Sequence, residues 1–320
     1  MPIKILITGG SGFIGTNIVQ YYLDSQFEVL NIDIVQPKFK NHNSIWHNVD
    51  INNYQLLYNE IKNFEPEYVI HLAARTDLDG KDLKAYDSNI LGVDNLVKVL
   101  TQINSVKRVV FTSSMLVCEP GYIPKSTTEY APSTIYGESK VLTEEIIRKL
   151  NLSFEWAIVR PTSIWGPWFN IPYRNFFEML INKRYFHIGN KACTKTYGYI
   201  GNIIYQIDCI LHADKTLVHK EVFYLGDYKP TNIKDWANEI SAQLNFSILT
   251  VPYPIVKMAA LFGDMLKALK LNFPMTSFRL KNMTTNNVVN LSNIEKIAPS
   301  LPYNREEGIK ITLKWLKDNK

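Results

Sequence analysis

Cysteine is scarce in this chain: Cys118, Cys193 and Cys209 stand far apart in 320 residues. An odd, dispersed set builds neither a disulfide framework nor a zinc site, and it fits a reducing compartment. The six histidines show no metal-ligand spacing, so no metal is expected. Long apolar runs are missing as well, since none approaches the roughly 20 residues of a membrane span. No block of lysine or arginine stands out, and 35 basic against 30 acidic residues leave a mild charge of +5. Nucleic-acid binding is therefore not expected, whereas a small anionic substrate is compatible with the charge. The opening MPIKILITGG has a short apolar run followed by glycines, which reads as a first strand and not as a secretory signal. A cytoplasmic location is expected.

What the sequence does have is apolar residues enough for a sizeable core, 46% in all. Apolar runs at 3–8, 28–32, 45–49, 68–72, 108–113 and 156–160 predict strands. Between them, residues 89–100 and 136–150 carry apolar positions at helical spacing. Strands buried on both faces and separated by helices indicate α/β class, with a doubly wound parallel sheet. After Pro161 the rhythm breaks into an irregular segment rich in proline and aromatics, then into mixed helices and short strands. That part predicts a smaller α+β domain packed over the sheet. Within it, residues 256–271 are amphipathic with three lysines. A helix packed on this domain is the preferred reading there, and a membrane-surface helix the other.

The strongest local signal is Thr8-Gly9-Gly10-Ser11-Gly12-Phe13-Ile14-Gly15, directly after the first apolar run. It satisfies G-x-G-x-x-G through Gly10, Gly12 and Gly15, and G-x-x-G-x-x-G through Gly9, Gly12 and Gly15. Glycine is needed where a strand turns sharply, where backbone approaches a pyrophosphate, and where the next helix sits tight on the sheet. A strand before the motif and a helix after it supply the required context, so a dinucleotide is expected. Asp33 ends the second strand, 18 residues after Gly15. A carboxylate there accepts ribose hydroxyls and repels a 2′-phosphate, and the next basic residue is Lys38. NAD is thus expected in preference to NADP.

Tyr136 and Lys140 lie one helical turn apart in Tyr136-Gly137-Glu138-Ser139-Lys140. A free phenol titrates near pH ~10, too high for a base at neutrality. Positive charge from the lysine and from an oxidised nicotinamide favours the phenolate and lowers that value. Such a pair is common by chance, and its position gives it weight. The fifth apolar run delivers Ser113 and Ser114 at its carboxyl end, where doubly wound sheets bind ligands.

In these residues the chain resembles the extended short-chain dehydrogenase/reductases, in particular the NAD-dependent nucleotide-sugar epimerase/dehydratase group. The resemblance rests on TGGSGFIG at 8–15, Asp33, Asp50-Ile51, His71-Leu72-Ala73-Ala74, Asn89 with Gly92, Thr112-Ser113-Ser114, Tyr136-x-x-x-Lys140 and Arg160-Pro161, in family order. It implies an NAD-binding Rossmann domain over residues 1–165. Residues 166–320 would form a mainly substrate-binding domain, with some segments returning to the sheet. Tyr136 would be the general base, Lys140 would hold the nicotinamide ribose, and Ser114 the reacting hydroxyl. Around the NAD the resemblance implies Gly9, Gly12, Phe13, Ile14 and Gly15, with Asp33 on the adenine ribose and Asp50 and Ile51 on the adenine. Leu72, Ala73, Ala74 and Asn89 complete that set, together with Tyr136 and Lys140. Ser113 and Ser114 would face the substrate, and by fainter likeness Lys195 and Arg279 would meet its diphosphate.

Departures from the pattern narrow the chemistry. The group's dehydratases resemble one another in an Asp-Glu pair just after the catalytic Ser/Thr, where this chain has Met115 and Leu116. Neither moves a proton, so loss of water is not expected. Cys118-Glu119 replaces the usual Tyr-Gly, which makes Cys118 a packing residue, and Gly201-Asn202 replaces paired aspartates. The expected reaction is hydride transfer at a secondary alcohol. NAD suits a redox-neutral epimerase of a nucleotide-linked sugar, at C4, better than a biosynthetic reductase. The alternatives are a nucleotide-sugar 4-keto reductase or dehydrogenase, and an oxidoreductase for apolar alcohols like the 3β-hydroxysteroid dehydrogenases and dihydroflavonol reductases. A cofactor-sensing regulatory protein is expected to lack the pair of Tyr136 and Lys140. The helices at 89–100 and 136–150 resemble those that pair in family dimers, so a homodimer is expected.

Overall fold

All six predicted strands form; the inner ones supply apolar side chains to both faces of one sheet, and the short edge strand Trp46–Asn48 is held by pairing with its neighbour. They are β1 (Lys4–Thr8), β2 (Glu28–Asp33), β3 (Trp46–Asn48), β4 (Tyr68–His71), β5 (Arg108–Thr112) and β6 (Glu155–Pro161). The computed structural model describes residues 2–189, 192–269, 271, 273 and 275–319. A seventh strand, Val222–Leu225, comes from the C-terminal half and pairs with β6, Val222 lying opposite Ile158. The sheet order is Val222–Leu225, β6, β5, β4, β1, β2, β3, and every pair is parallel. The direction of winding reverses between β1 and β4, which opens a crevice at their carboxyl ends.

Helices α1 (Phe13–Asp24), α2 (Tyr54–Phe64), α3 (Asp87–Leu100) and α4 (Ile135–Lys149) cross over between the strands. On one face, Leu6, Val69, Val109 and Phe111 pack with Leu57, Ile61, Leu96 and Val97 from α2 and α3. On the other, Ile5, Ile7 and Val110 share a core with Ile18 and Val19 of α1 and with Trp165, Phe177, Ile203 and Trp236. The C-terminal half therefore completes one face of the sheet. Its aromatics are core residues: the Trp165 ring lies 5.7 Å from Phe177, 5.0 Å from Tyr199 and 5.2 Å from Trp236.

A fully buried ion pair joins β6 to α4. Arg160 Nε donates to Glu144 Oε1 at 2.8 Å and Nη2 to Oε2 at 2.7 Å. The same guanidinium donates to Thr127 O at 2.7 Å and to the Tyr224 hydroxyl at 3.0 Å, while Tyr130 donates to Glu144 at 3.0 Å. One charge pair thus fixes the segment between β5 and α4 and the seventh strand.

The helix Tyr253–Ala268 covers the predicted amphipathic segment as far as residue 268, and position 270 lies outside the described residues. It buries Val256, Ala260 and Gly263 in a small cluster with Leu280 of the helix Ser277–Thr284. Its other apolar face is open to solvent. Among the described residues no helix is long and apolar enough to cross a membrane.

Candidate active site

A cleft of about 1020 Å³ opens where β1 and β4 part. Its floor is the glycine loop. Gly9 turns with φ +75°, and a Cβ there would lie 2.5 Å from the Ala73 nitrogen. A Cβ on Gly15 would lie 2.1 Å from the Gly9 oxygen, so only glycine lets α1 begin this close to β1. Gly12, Phe13 and Ile14 line the cleft at the start of α1, a helix without a side-chain cap. Its first N–H groups remain for an anion.

Asp33, at the end of β2, faces the same cleft. Its carboxylate accepts from Ser11 N and from Val35 N, each at 2.9 Å, and burial pushes it above the usual carboxylate range. Sequence reasoning missed Ser11, whose amide ties the glycine loop to this acid. Asp50, Ile51, Leu72, Ala73 and Ala74 line the opposite wall. Ala73 N donates to Thr8 Oγ1 at 3.3 Å, and Thr8 Oγ1 meets His71 Nδ1 at 2.7 Å. Burial pulls His71 down to about 3, so it is a neutral strut under the wall. A loop held to glycine at Gly9 and Gly15, an acid hydrogen-bonded to that loop and a largely apolar facing wall fit a dinucleotide.

The tyrosine and lysine stand at the other end. Thr134 Oγ1 accepts from Gly137 N at 3.0 Å and caps α4, setting Tyr136 in the first turn and Lys140 one turn on. Both line the cleft. Lys140 Nζ donates to Thr112 O at 2.9 Å, and burial pulls it down to about 8. Tyr136 shares a hydrogen bond with Ser114, whose Oγ also accepts from Leu116 N at 3.1 Å. Burial pushes Tyr136 up to about 12, with the Ser114 bond acting against it. The expected lowering by Lys140 is absent in the chain alone, because that ammonium is turned to the Thr112 carbonyl. Ser113 Oγ is buried on the cleft wall without a hydrogen-bond partner among the described residues. Leaving such a hydroxyl unpaired costs about 1–3 kcal/mol, which a bound oxygen would recover.

Four predicted residues lie outside this cleft. Asn89 is fully buried: Oδ1 accepts from Arg75 N at 2.8 Å, and Nδ2 donates to Arg75 O at 3.0 Å and Ser139 Oγ at 2.9 Å. Its amide fixes the loop after Ala74 to α4. Ser114 sits beside Tyr136, outside the cleft lining. Lys195 Nζ donates to Asn282 O at 2.6 Å, so it abuts the helix that carries Arg279, away from the cleft. Lining residues such as Lys38, Lys84, Asn170 and Tyr173 were not anticipated, since they come from loops and short helical turns that carry no motif. Among the described residues no cluster of metal-binding side chains occurs. Cys118 is buried, with Sγ 3.6 Å from Glu129 O, as a packing residue should be.

Lys140 carries a pH signature. Its folded value, about 8, lies below the ordinary 10.5, so folded protein holds fewer protons than unfolded chain between the two. The burial penalty is complete below pH ~8 and disappears as pH rises towards ~10.5, on the order of 3 kcal/mol. Lys140→Met in cofactor-free protein should therefore melt higher than wild type near neutrality. The gap should close as pH approaches ~10. A pH-independent gap in thermal melts would contradict the assignment.

Comparison with known proteins agrees with this geometry. The model of the NAD dependent epimerase/dehydratase family matches residues 5–226. N-acetyl-alpha-D-glucosaminyl-diphospho-ditrans,octacis-undecaprenol 4-epimerase of Escherichia coli O157:H7 is 25% identical over 320 residues, 98% of this chain and 95% of that protein. UDP-glucose 4-epimerase of Vibrio cholerae is 27% identical over 268 residues, 80% of each chain. Among solved structures, UDP-glucuronic acid 4-epimerase from Bacillus cereus in complex with UDP-glucuronic acid and NAD superposes with a TM-score of 0.77. It is 20% identical and covers 99% of this chain and 100% of that one.

Proposed function

The chain belongs to the NAD-dependent epimerase/dehydratase family, and on that premise we propose that it is a 4-epimerase of a diphosphate-linked sugar. The observation that carries this reading is Tyr136, hydrogen-bonded to Ser114, at the end of a dinucleotide cleft whose neighbouring residues Met115 and Leu116 offer no second proton-transfer group. Both curated relatives named above are 4-epimerases. Their names differ in the sugar's carrier, UDP in one and diphospho-undecaprenol in the other, and share the diphosphate.

In this reading Gly9, Gly12, Phe13, Ile14 and Gly15 hold the cofactor's pyrophosphate. Asp33 holds the adenine ribose, Asp50 and Ile51 the adenine, and Lys140 the nicotinamide ribose. Bound NAD supplies a hydride acceptor, and afterwards the donor, beside the sugar carbon. Tyr136 removes the proton of the sugar hydroxyl. Ser114 donates a hydrogen bond to that oxygen as it becomes a carbonyl. Once the keto-sugar has turned its other face, Tyr136 returns the proton. Proton and hydride both come back, so the sugar is inverted with no net oxidation.

The test is incubation of purified protein with UDP-sugars and with a polyprenyl-diphospho-sugar, without added cofactor. Products are followed by NMR and NADH by absorbance. An epimer without net NADH is expected. Turnover that needs stoichiometric NAD or NADH would make the protein a dehydrogenase or ketoreductase instead.

A further inference from the structure

We propose that the helix Tyr253–Ala268 docks flat on an anionic lipid bilayer, and that the diphosphate-linked sugar is presented to the enzyme from that bilayer. The second clause rests on the reading above; the first rests on the helix itself. Ile255, Met258, Leu261, Phe262, Met265 and Leu269 are each 50–66% exposed. At 100° per residue these positions fall within an arc of about 120°. The buried residues Val256, Ala260 and Gly263 occupy a separate stripe. Single exposed apolar side chains are ordinary on a protein surface. A continuous row of five along one helix, with Leu269 at its cap, is what an interfacial helix inserts among lipid headgroups.

Charge selects the partner. Between positions 253 and 283 the sequence carries five basic residues against one acid, Asp264. Lys257 and Lys267 are exposed on the helix. The acid is engaged by the start of the next helix, accepting from Ser277 N at 3.0 Å. Lys257 flanks the apolar arc, and a segment with five cations to one acid complements anionic lipid and does not complement a second copy of the same cationic surface.

The position suits a substrate held at a membrane. The docking helix packs on Ser277–Thr284, whose Asn282 carbonyl accepts from Lys195. Just beyond, Asn287 Nδ2 reaches Met115 Sδ at 3.7 Å, next to Ser114. Contacts therefore run from the proposed membrane face to the segment that carries the catalytic serine.

The experiment is vesicle flotation of the full chain with phosphatidylcholine alone and with added phosphatidylglycerol. Wild type should float with the anionic vesicles, and the double variant Phe262→Ser, Met265→Ser should lose about tenfold or more of that partitioning at unchanged melting temperature. Lys257→Glu, Lys267→Glu should weaken binding to anionic vesicles alone. Wild type that stays in the aqueous fraction would overturn the proposal. So would a light-scattering dimer dissolved by the serine substitutions, which would put a second copy on the face. Flotation needs no turnover, so a protein that floats but epimerises no sugar fails the functional reading alone. One that epimerises UDP-sugars but never floats fails the docking alone.

Discussion

Tyr136→Phe should lower turnover by about 10²–10⁴-fold while leaving the fold and NAD binding in place. The substitution deletes one hydroxyl and keeps the ring, which is buried and lies 6.1 Å from the Tyr86 ring. What goes is the proposed proton acceptor and its hydrogen bond with Ser114. Nothing nearby replaces it, because Met115 and Leu116 occupy the next positions and Lys140 is committed to Thr112. NMR-followed epimer formation measures the loss, and thermal melts with and without NAD verify fold and binding. A variant active within a few fold of wild type would move the base to another residue.

The second large effect is on stability. Glu144→Ala should destabilise the protein by about 3–5 kcal/mol, because it strands a buried guanidinium without its counter-ion. Arg160 has both side-chain partners of that pair at 0% exposure, so water cannot stand in for the lost carboxylate. A fall in melting temperature on the order of 10 °C follows for a chain of this size. The sharper check is the double variant Glu144→Leu, Arg160→Met. Apolar replacement of both partners often restores stability, and it should recover much of the loss here. A single variant that melts within a degree or two of wild type would sink the assignment.

The sheet was legible because a parallel strand buried on both faces must be apolar at successive positions, and Ile5-Leu6-Ile7 and Val109-Val110-Phe111 are just that. The glycine loop and Asp33 were legible because backbone sterics and ribose chemistry leave few substitutes. The seventh strand was not: Val222–Leu225 is short, and only β6 beside it makes it a strand. Asn89 shows the limit of a motif, which names the residue but not the partners of its amide, here Arg75 and Ser139. The docking helix shows the limit of periodicity. Its apolar pattern was visible, yet the pattern cannot say which stripe packs. The small residues turn inward because the neighbouring chain comes so near that a Cβ on Gly263 would lie 1.8 Å from Met275 O. The large ones are left outside.

The late strand also bears on how the protein is made. β6 ends at Pro161 and its outer neighbour begins at Val222, with 60 residues between them. A ribosome adding 5–20 residues per second needs roughly 3–12 s to cross that interval. Throughout it, the nascent sheet presents a bare row of amides and carbonyls along β6, the kind of border to which other chains add themselves. Production of this enzyme is therefore a race between finishing one strand and meeting a neighbour, and slower growth temperatures or holding chaperones favour the finished sheet.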